Sequence, residues 1–287
     1  MTRFTRAAVT TAALTLATAG AQAITLVGLT SAGQLARIDT GNVAGATTTA
    51  ITGLATGDRL VGIDLRPKDG KLYGIALSNQ LYTIDEMTGA ATAVAMLGTP
   101  VVQAGLGHGI DFNPVADFGT GASLRLVSSA GGNFAVNAST GAVTTATAIA
   151  AGYTAVAYTN SMAMPAAAPA STALYYINTS TDMLMMAPGA FNNPSIGAVG
   201  ALGVDALRAN GFEIANGMGY AALNIDDGTL GTGLYRIDLA TGSATLLGSY
   251  NGTLTGLSVS AVPEPQTYAM LLAGLVALGA LARRRQA

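Results

Sequence analysis

Leu81-Tyr82-Thr83-Ile84-Asp85-Glu86-Met87-Thr88-Gly89 decides the fold, because the chain returns to it as Leu234-Tyr235-Arg236-Ile237-Asp238-Leu239-Ala240-Thr241-Gly242. Weaker copies occupy residues 35–41, 133–141 and 174–182. Each copy alternates apolar and polar residues with the period of a strand, then runs through Asp or Asn into a turn-forming group. An Ala/Thr-rich strand follows, as at Ala91–Met96. The unit reads as a β-hairpin whose Asp or Asn caps the turn through its own side chain.

A second unit lies upstream of the first. Gly62-Ile63-Asp64-Leu65-Arg66-Pro67 matches Gly109-Ile110-Asp111-Phe112-Asn113-Pro114, and another strand, Lys71-Leu72-Tyr73-Gly74, separates the first of these from its hairpin. Together they make four strands in about 40 to 60 residues, the period of a β-propeller blade. Five hairpin strands accompany five candidate innermost strands, at 62–67, 109–114, 154–159, 211–215 and 256–260. The chain opens with three strands of a blade, at 24–29, 33–39 and 46–51, and ends on a lone inner strand, Gly256-Leu257-Ser258-Val259-Ser260. An all-β, five-bladed propeller is predicted, its first blade closed by the last strand so that no long edge is left free. Six blades is the alternative, if residues 183–207 conceal an extra hairpin.

The two ends read as addresses. Arg3 and Arg6 precede a small, apolar run, and Ala21-Gln22-Ala23 fits the small-x-small cleavage rule, so residues 1–23 are a predicted signal peptide with the mature chain starting at Ile24. Residues 261–287 hold Val262-Pro263-Glu264-Pro265, an uncharged stretch from Tyr268 to Ala282, and Arg283-Arg284-Arg285. As a helix the uncharged stretch is about 22 Å long, short of the roughly 30 Å hydrocarbon core. The arginines can snorkel to headgroups and hold the cytoplasmic side, which makes this a predicted short transmembrane helix. The tail resembles the PEP-CTERM sorting signal of Gram-negative bacteria. That resemblance implies an exosortase-type processing enzyme as partner, an inner-membrane precursor, and delivery to the cell surface or extracellular matrix. A retained single-span protein is the alternative.

Composition sharpens once the ends are set aside. Of thirteen basic residues five lie in them, leaving eight against fifteen carboxylates and about −7 for residues 24–265. The body has two lysines and six scattered arginines, and no basic stripe to neutralise phosphates, so nucleic acid is excluded as a partner. Cysteine is absent, and the body is long enough to build its core without disulfides. With its Leu-Tyr-x-Ile-Asp, Thr-Gly and Gly-Ile-Asp-x-x-Pro signatures, the body over residues 24–260 resembles the exported bacterial family called domain of unknown function 4394. That name implies the fold and brings no activity.

The inventory for chemistry is thin. The single histidine, His108, sits among glycines in Gly105-Leu106-Gly107-His108-Gly109, where a tight connection explains it better than a general base. One histidine and no cysteine leave zinc ligation and a His-based triad without parts. Asn224, Asp226 and Asp227 offer oxygens to Ca²⁺ but lack the spacing and distal Glu of an EF-hand, and a solvated turn is the preferred reading. Asp64, Asp111 and Glu213 fall in predicted inner strands and are the carboxylates that can converge on a channel, the arrangement glycoside hydrolysis needs. Their recurrence at equivalent blade positions argues for a structural role. Tyr73, Tyr82, Tyr175, Tyr176 and Tyr235 are assigned to packing between blades. No cofactor is expected. The leading expectation is a non-catalytic surface or matrix propeller binding a partner, with exopolysaccharide implied by the sorting class; the alternative is a secreted carbohydrate-active enzyme.

Overall fold

The computed structural model describes residues 23–225 and 231–261. The first nine strands are β1 (Thr25–Thr30), β2 (Gln34–Asp39), β3 (Asn42–Ala50), β4 (Leu60–Leu65), β5 (Leu72–Ala76), β6 (Gln80–Ile84), β7 (Ala91–Met96), β8 (His108–Phe112) and β9 (Leu124–Ser128). They are followed by β10 (Asn133–Val136), β11 (Val143–Thr145), β12 (Tyr153–Tyr158), β13 (Leu174–Asn178), β14 (Met183–Ala187) and β15 (Gly197–Ala201). The last five are β16 (Ala206–Ala215), β17 (Met218–Ile225), β18 (Thr232–Ile237), β19 (Ala244–Tyr250) and β20 (Leu254–Val259).

They form five four-stranded antiparallel sheets. Blades two to five take consecutive quartets, β4–β7, β8–β11, β12–β15 and β16–β19; blade one is β20-β1-β2-β3. The last strand closes the first blade, as the repeat count predicts, with Leu26 opposite Val259 and Gly28 opposite Leu257. Residues 183–207 supply β14 and β15 of blade four and the first residues of β16, and no additional blade.

The core is divided among the blade interfaces. Val27, Leu29 and Leu35 of blade one pack on Leu60, Ile63 and Leu72 of blade two. Ile75 and Leu81 of blade two meet Phe112 and Leu126 of blade three. Val127 meets Tyr153, Tyr158 and Tyr176; Ile177 and Leu184 meet Phe212 and Leu223; Leu234 and Tyr220 meet Leu26 and Ile38. Tyr73, Tyr82, Tyr176 and Tyr235 are buried in these clusters and Tyr175 packs against one, in keeping with inter-blade packing.

The repeated hairpin has a double cause. Asp85 Oδ1 accepts from Met87 N at 3.0 Å and Thr88 N at 2.8 Å; Asp238 does the same for Ala240 and Thr241, and Asn137 for Ser139 and Thr140. The side chain thus satisfies turn amides that the ladder cannot. The closing Gly89 has φ of 72°, and a Cβ there would lie 2.1 Å from the Ala50 carbonyl of the preceding blade. Glycine is needed both for the turn and for the contact between blades.

Candidate functional site: the carboxylate ring of the central channel

Aligning the five inner strands puts Gly62-Ile63-Asp64-Leu65, Gly109-Ile110-Asp111-Phe112, Ala155-Val156-Ala157-Tyr158, Gly211-Phe212-Glu213-Ile214 and Gly256-Leu257-Ser258-Val259 in register around the axis. The glycines admit the neighbouring strand. A Cβ on Gly109 would lie 2.9 Å from the Thr154 carbonyl oxygen, and one on Gly211 would lie 2.5 Å from Leu257 N.

The third position of this motif reaches the next blade. Asp64 Oδ2 accepts from Phe112 N at 2.7 Å, Asp111 Oδ1 from Tyr158 N at 3.0 Å, Glu213 Oε2 from Val259 N at 2.9 Å, and Ser258 Oγ from Leu65 N at 2.9 Å. Each acceptor serves the amide one residue past the equivalent position in the following blade. Blade four is the exception, because Ala157 has no acceptor for Ile214. That amide is served by its neighbour in sequence, Glu213 Oε1, at 2.8 Å. The longer glutamate side chain therefore makes two of the five bonds, one to blade one and one within blade five, so that every one of the five amides is served and four of the five interfaces are bridged. N–H groups that would otherwise lack partners tie blade five to one, one to two, two to three and three to four.

The geometry has an electrostatic cost. One oxygen from each of Asp64, Asp111 and Glu213 lies within 4.8 Å of the others, and all three side chains are buried. Burial is the principal cause that pushes the Asp64 carboxyl well above the usual range, with the charge of Glu213 adding to it; Asp111 is raised by burial and then by Asp64 and Glu213. Burial also raises Glu213 to about 7, against the pull of the Val259 and Ile214 amides. Such a set favours shared protons. It is also the group among the described residues whose oxygens are spaced to hold a hard cation. Both oxygens of Asp64 and both of Glu213 already accept from protein, Asp64 Oδ1 from Ser258 Oγ at 3.2 Å.

The other sequence candidates separate from this ring. His108 opens β8 at the other end of the inner strands. Burial, with a smaller contribution from Arg59, lowers its pKa, while the Leu106 carbonyl opposes the shift without reaching hydrogen-bond geometry. Asn224 Nδ2 donates to the Gly231 carbonyl at 3.0 Å, and Asp226 and Asp227 lie outside the described residues. So do Ala21, Val262 to Pro265, the predicted helix and Arg283 to Arg285; Ala23 is the first described residue. Ser258 completes the ring although it is no carboxylate; its place in the inner-strand alignment is the signal that marks it. No motif announces the Arg66–Asp117 ion pair either, at 2.7 Å just past the end of β4, where Asp117 also accepts from Lys68 N and Ser123 Oγ.

Among solved structures the chain is similar to regucalcin, a calcium-binding protein from Agrobacterium tumefaciens, at 18% identity over 77% of this chain and 67% of that one, with a TM-score of 0.41. It is similar to a chain of a nidogen/laminin complex at 10% identity over 83% and 98%, TM-score 0.48. PorZ, a surface component of the type-IX secretion system of Porphyromonas gingivalis, matches at 12% over 79% of this chain and 29% of its own, TM-score 0.37. No curated protein matches. The family model for the PEP-CTERM protein-sorting motif covers residues 261–286, the tail that reads as an export address. The model named domain of unknown function (DUF4394) covers residues 34–258, from the second strand of blade one to its closing strand, and the chain belongs to that family.

Proposed function

We propose that this chain is a non-catalytic propeller displayed at the cell surface or in the extracellular matrix. It is held first in the inner membrane and then processed by an exosortase-type enzyme at residues 262–265. Its body binds a partner there, and exopolysaccharide is the candidate the sorting class suggests. The observation that supports a non-catalytic body is the ring: Asp64, Asp111 and Glu213 bond inner-strand amides of the next blade. A general acid or nucleophile needs an oxygen aimed at substrate.

The competing reading, a carbohydrate-active enzyme, draws on the closeness of the three carboxyls and on Glu213 titrating at about 7. Reducing-end release from a panel of polysaccharides decides between them. The chain and a variant carrying Asp64→Asn, Asp111→Asn and Glu213→Gln are expected to show the same background. Release by the unaltered chain that the variant lacks would establish hydrolysis. For sorting, the intact mass of protein from surface and culture fractions is expected to run from Ile24 to about Pro265. A product that keeps Arg283 to Arg285 would mean a tethered propeller, and Glu264→Ala with Pro265→Ala is expected to trap the precursor in the inner membrane.

A further inference from the structure

We infer that the open mouth of the central channel binds an acidic saccharide, a carboxylate carried on a frame of sugar hydroxyls, with Arg59 and Arg208 as the cationic pair that holds it. The inference names the ligand class for the partner-binding reading above and rests on it.

The mouth lies where the inner strands begin. It is a cavity of about 480 Å³ to which every blade contributes, including Thr255 of blade one, Arg59 before β4, His108 and Ser129 of blade three, Thr154 of blade four and Arg208 of β16. That volume is in the range of small-ligand sites. Among its described lining residues there is no carboxylate and no Phe, Tyr or Trp ring. Recognition of a neutral sugar by ring stacking has no platform here, so charge and hydrogen bonding must carry the selectivity.

The charge is unusual for this body. Both arginines are exposed, and among the described residues neither guanidinium forms an ion pair or a side-chain hydrogen bond. The acidic neighbours in sequence are Asp58 and Asp205, and Asp58 is occupied by Ser78 Oγ and by the amides of Arg59 and Ser78. On a domain of about −7, two unpaired cations over one opening make a local field of opposite sign. A guanidinium presents parallel N–H groups that match a carboxylate, so the pair favours carboxylate over hydroxyl.

A second, independent observation comes from His108. Its Nε2 accepts from Gln103 N at 3.4 Å, which puts the imidazole proton on Nδ1, and buried Nδ1 has no partner. A buried N–H without an acceptor is uncommon, and a small turn of the ring, which lines the cavity, would bring it to a ligand oxygen. Ser129 Oγ accepts from Gly107 N at 3.1 Å and keeps its own proton to donate.

The opposite end of the channel is built differently. Residues 159–173 cross from blade four to blade two, where Met164 N donates to the Pro67 carbonyl at 2.7 Å. The chain leaves the propeller on that same side, with Glu86 accepting from Ser260 Oγ at 2.7 Å and Ala261 N at 3.0 Å. The cationic mouth therefore faces away from the attachment of the sorting signal, toward the medium.

The test is titration of the full chain, in detergent, with trigalacturonate, its methyl ester and sulfate. Calorimetry gives affinity, and the imidazole resonances of the chain's single histidine report occupancy of the mouth. Trigalacturonate is expected to bind and to shift the His108 signals. Arg59→Gln and Arg208→Gln should each weaken it by about tenfold, as should raising salt from about 0.05 M to about 0.5 M. Arg236→Gln, an exposed arginine outside the mouth, should leave binding unchanged and controls for net charge. Equal binding of the methyl ester, or no saturable binding of intact trigalacturonate, would overturn the inference. Sulfate binding as tightly as the sugar would reduce the mouth to a bare anion site and overturn the saccharide assignment. Cleavage of trigalacturonate would instead overturn the non-catalytic reading.

Discussion

Blade two contains the dipeptide Ile-Asp twice, and the two aspartates live in opposite worlds. Asp64, in the inner strand, is 3% exposed and its carboxyl is pushed up by burial. Asp85, at the outer hairpin, is exposed, and hydrogen bonds from Thr88 and Met87 hold its carboxyl below the usual range. Both accept backbone amides. The difference is where those amides belong: Asp85 serves its own turn, while Asp64 serves the next blade. Gly62 ahead of Asp64 lets the neighbouring strand close in, and a Cβ there would sit 3.1 Å from Ile110. Thr88 after Asp85 is exposed, and Gly89, buried against the preceding blade, turns the chain back. An identical dipeptide is thus a ring element in one place and a turn cap in the other, and its protonation follows the solvent each meets.

The widest separation between the two regions is in pH. Glu213 titrates at 4.5 in a free side chain and about 7 in the ring, so the folded protein binds its proton more tightly than the unfolded chain. That contribution is fully present below about pH 4.5 and is lost as pH rises through about 7. Taken alone it amounts to on the order of 3 kcal/mol, and raised Asp64 and Asp111 act in the same direction. Asp85 and Asp238 have lowered pKa values, so their contribution is present above the free value of 3.8 and is lost as pH falls below it. Urea midpoints are expected to decline between pH 5 and pH 8, and Glu213→Gln should flatten that decline. A midpoint that climbs over this interval would show that the ring carboxyls are not destabilised by burial.

Substitution at the paired aspartates comes next in size. Asp64→Ala removes the acceptor of Phe112 N from a buried site and is expected to cost about 1–3 kcal/mol at pH 5. Asp64→Asn keeps an acceptor and cannot ionise, so its stability should fall less between pH 5 and pH 8 than that of the native protein. Asp85→Ala should lower the midpoint by less than Asp64→Ala, since water can replace the lost cap, and Asp85→Asn should be near neutral. Asn137 already does this work in blade three. An Asp85→Ala loss as large as that of Asp64→Ala, measured side by side, would erase the distinction between the two regions.

The outer hairpins were legible because every signal they use is local. Alternation, Asp or Asn, and Gly fall within nine residues, and the caps found at Asp85, Asn137 and Asp238 are the ones those residues announce. The inner strands were legible as strands, and Asp64, Asp111 and Glu213 were picked as convergent. Their partners were not, because each bond joins residues more than forty positions apart and the repeated position changes chemistry from Asp to Ala, Glu and Ser. Arg59, Arg208 and His108 share no motif at all, and the closed ring is what brings them to one opening. Arg66 and Asp117 meet for the same reason, across a blade interface that alternation cannot specify.

The smallest expected effect tests the ring at its one irregular place. Ala157 stands where other blades carry an acceptor, and it is fully buried, while Glu213 Oε1 serves the amide of Ile214. Ala157→Ser would offer Ile214 N an acceptor from the preceding blade, as Ser258 does for Leu65 N. Stability should change little, within about 0.5 kcal/mol, because one satisfied amide replaces another. The Glu213 carboxyl should respond more clearly. Freed from the Ile214 amide, which holds its pKa down, it is expected to titrate higher than in the native protein. Carbon-detected NMR of the glutamate carboxyls through a pH series reads this directly. An unmoved Glu213 titration, in a variant that folds, would mean that the introduced hydroxyl does not join the ring, and that the glutamate is there for something other than the missing acceptor.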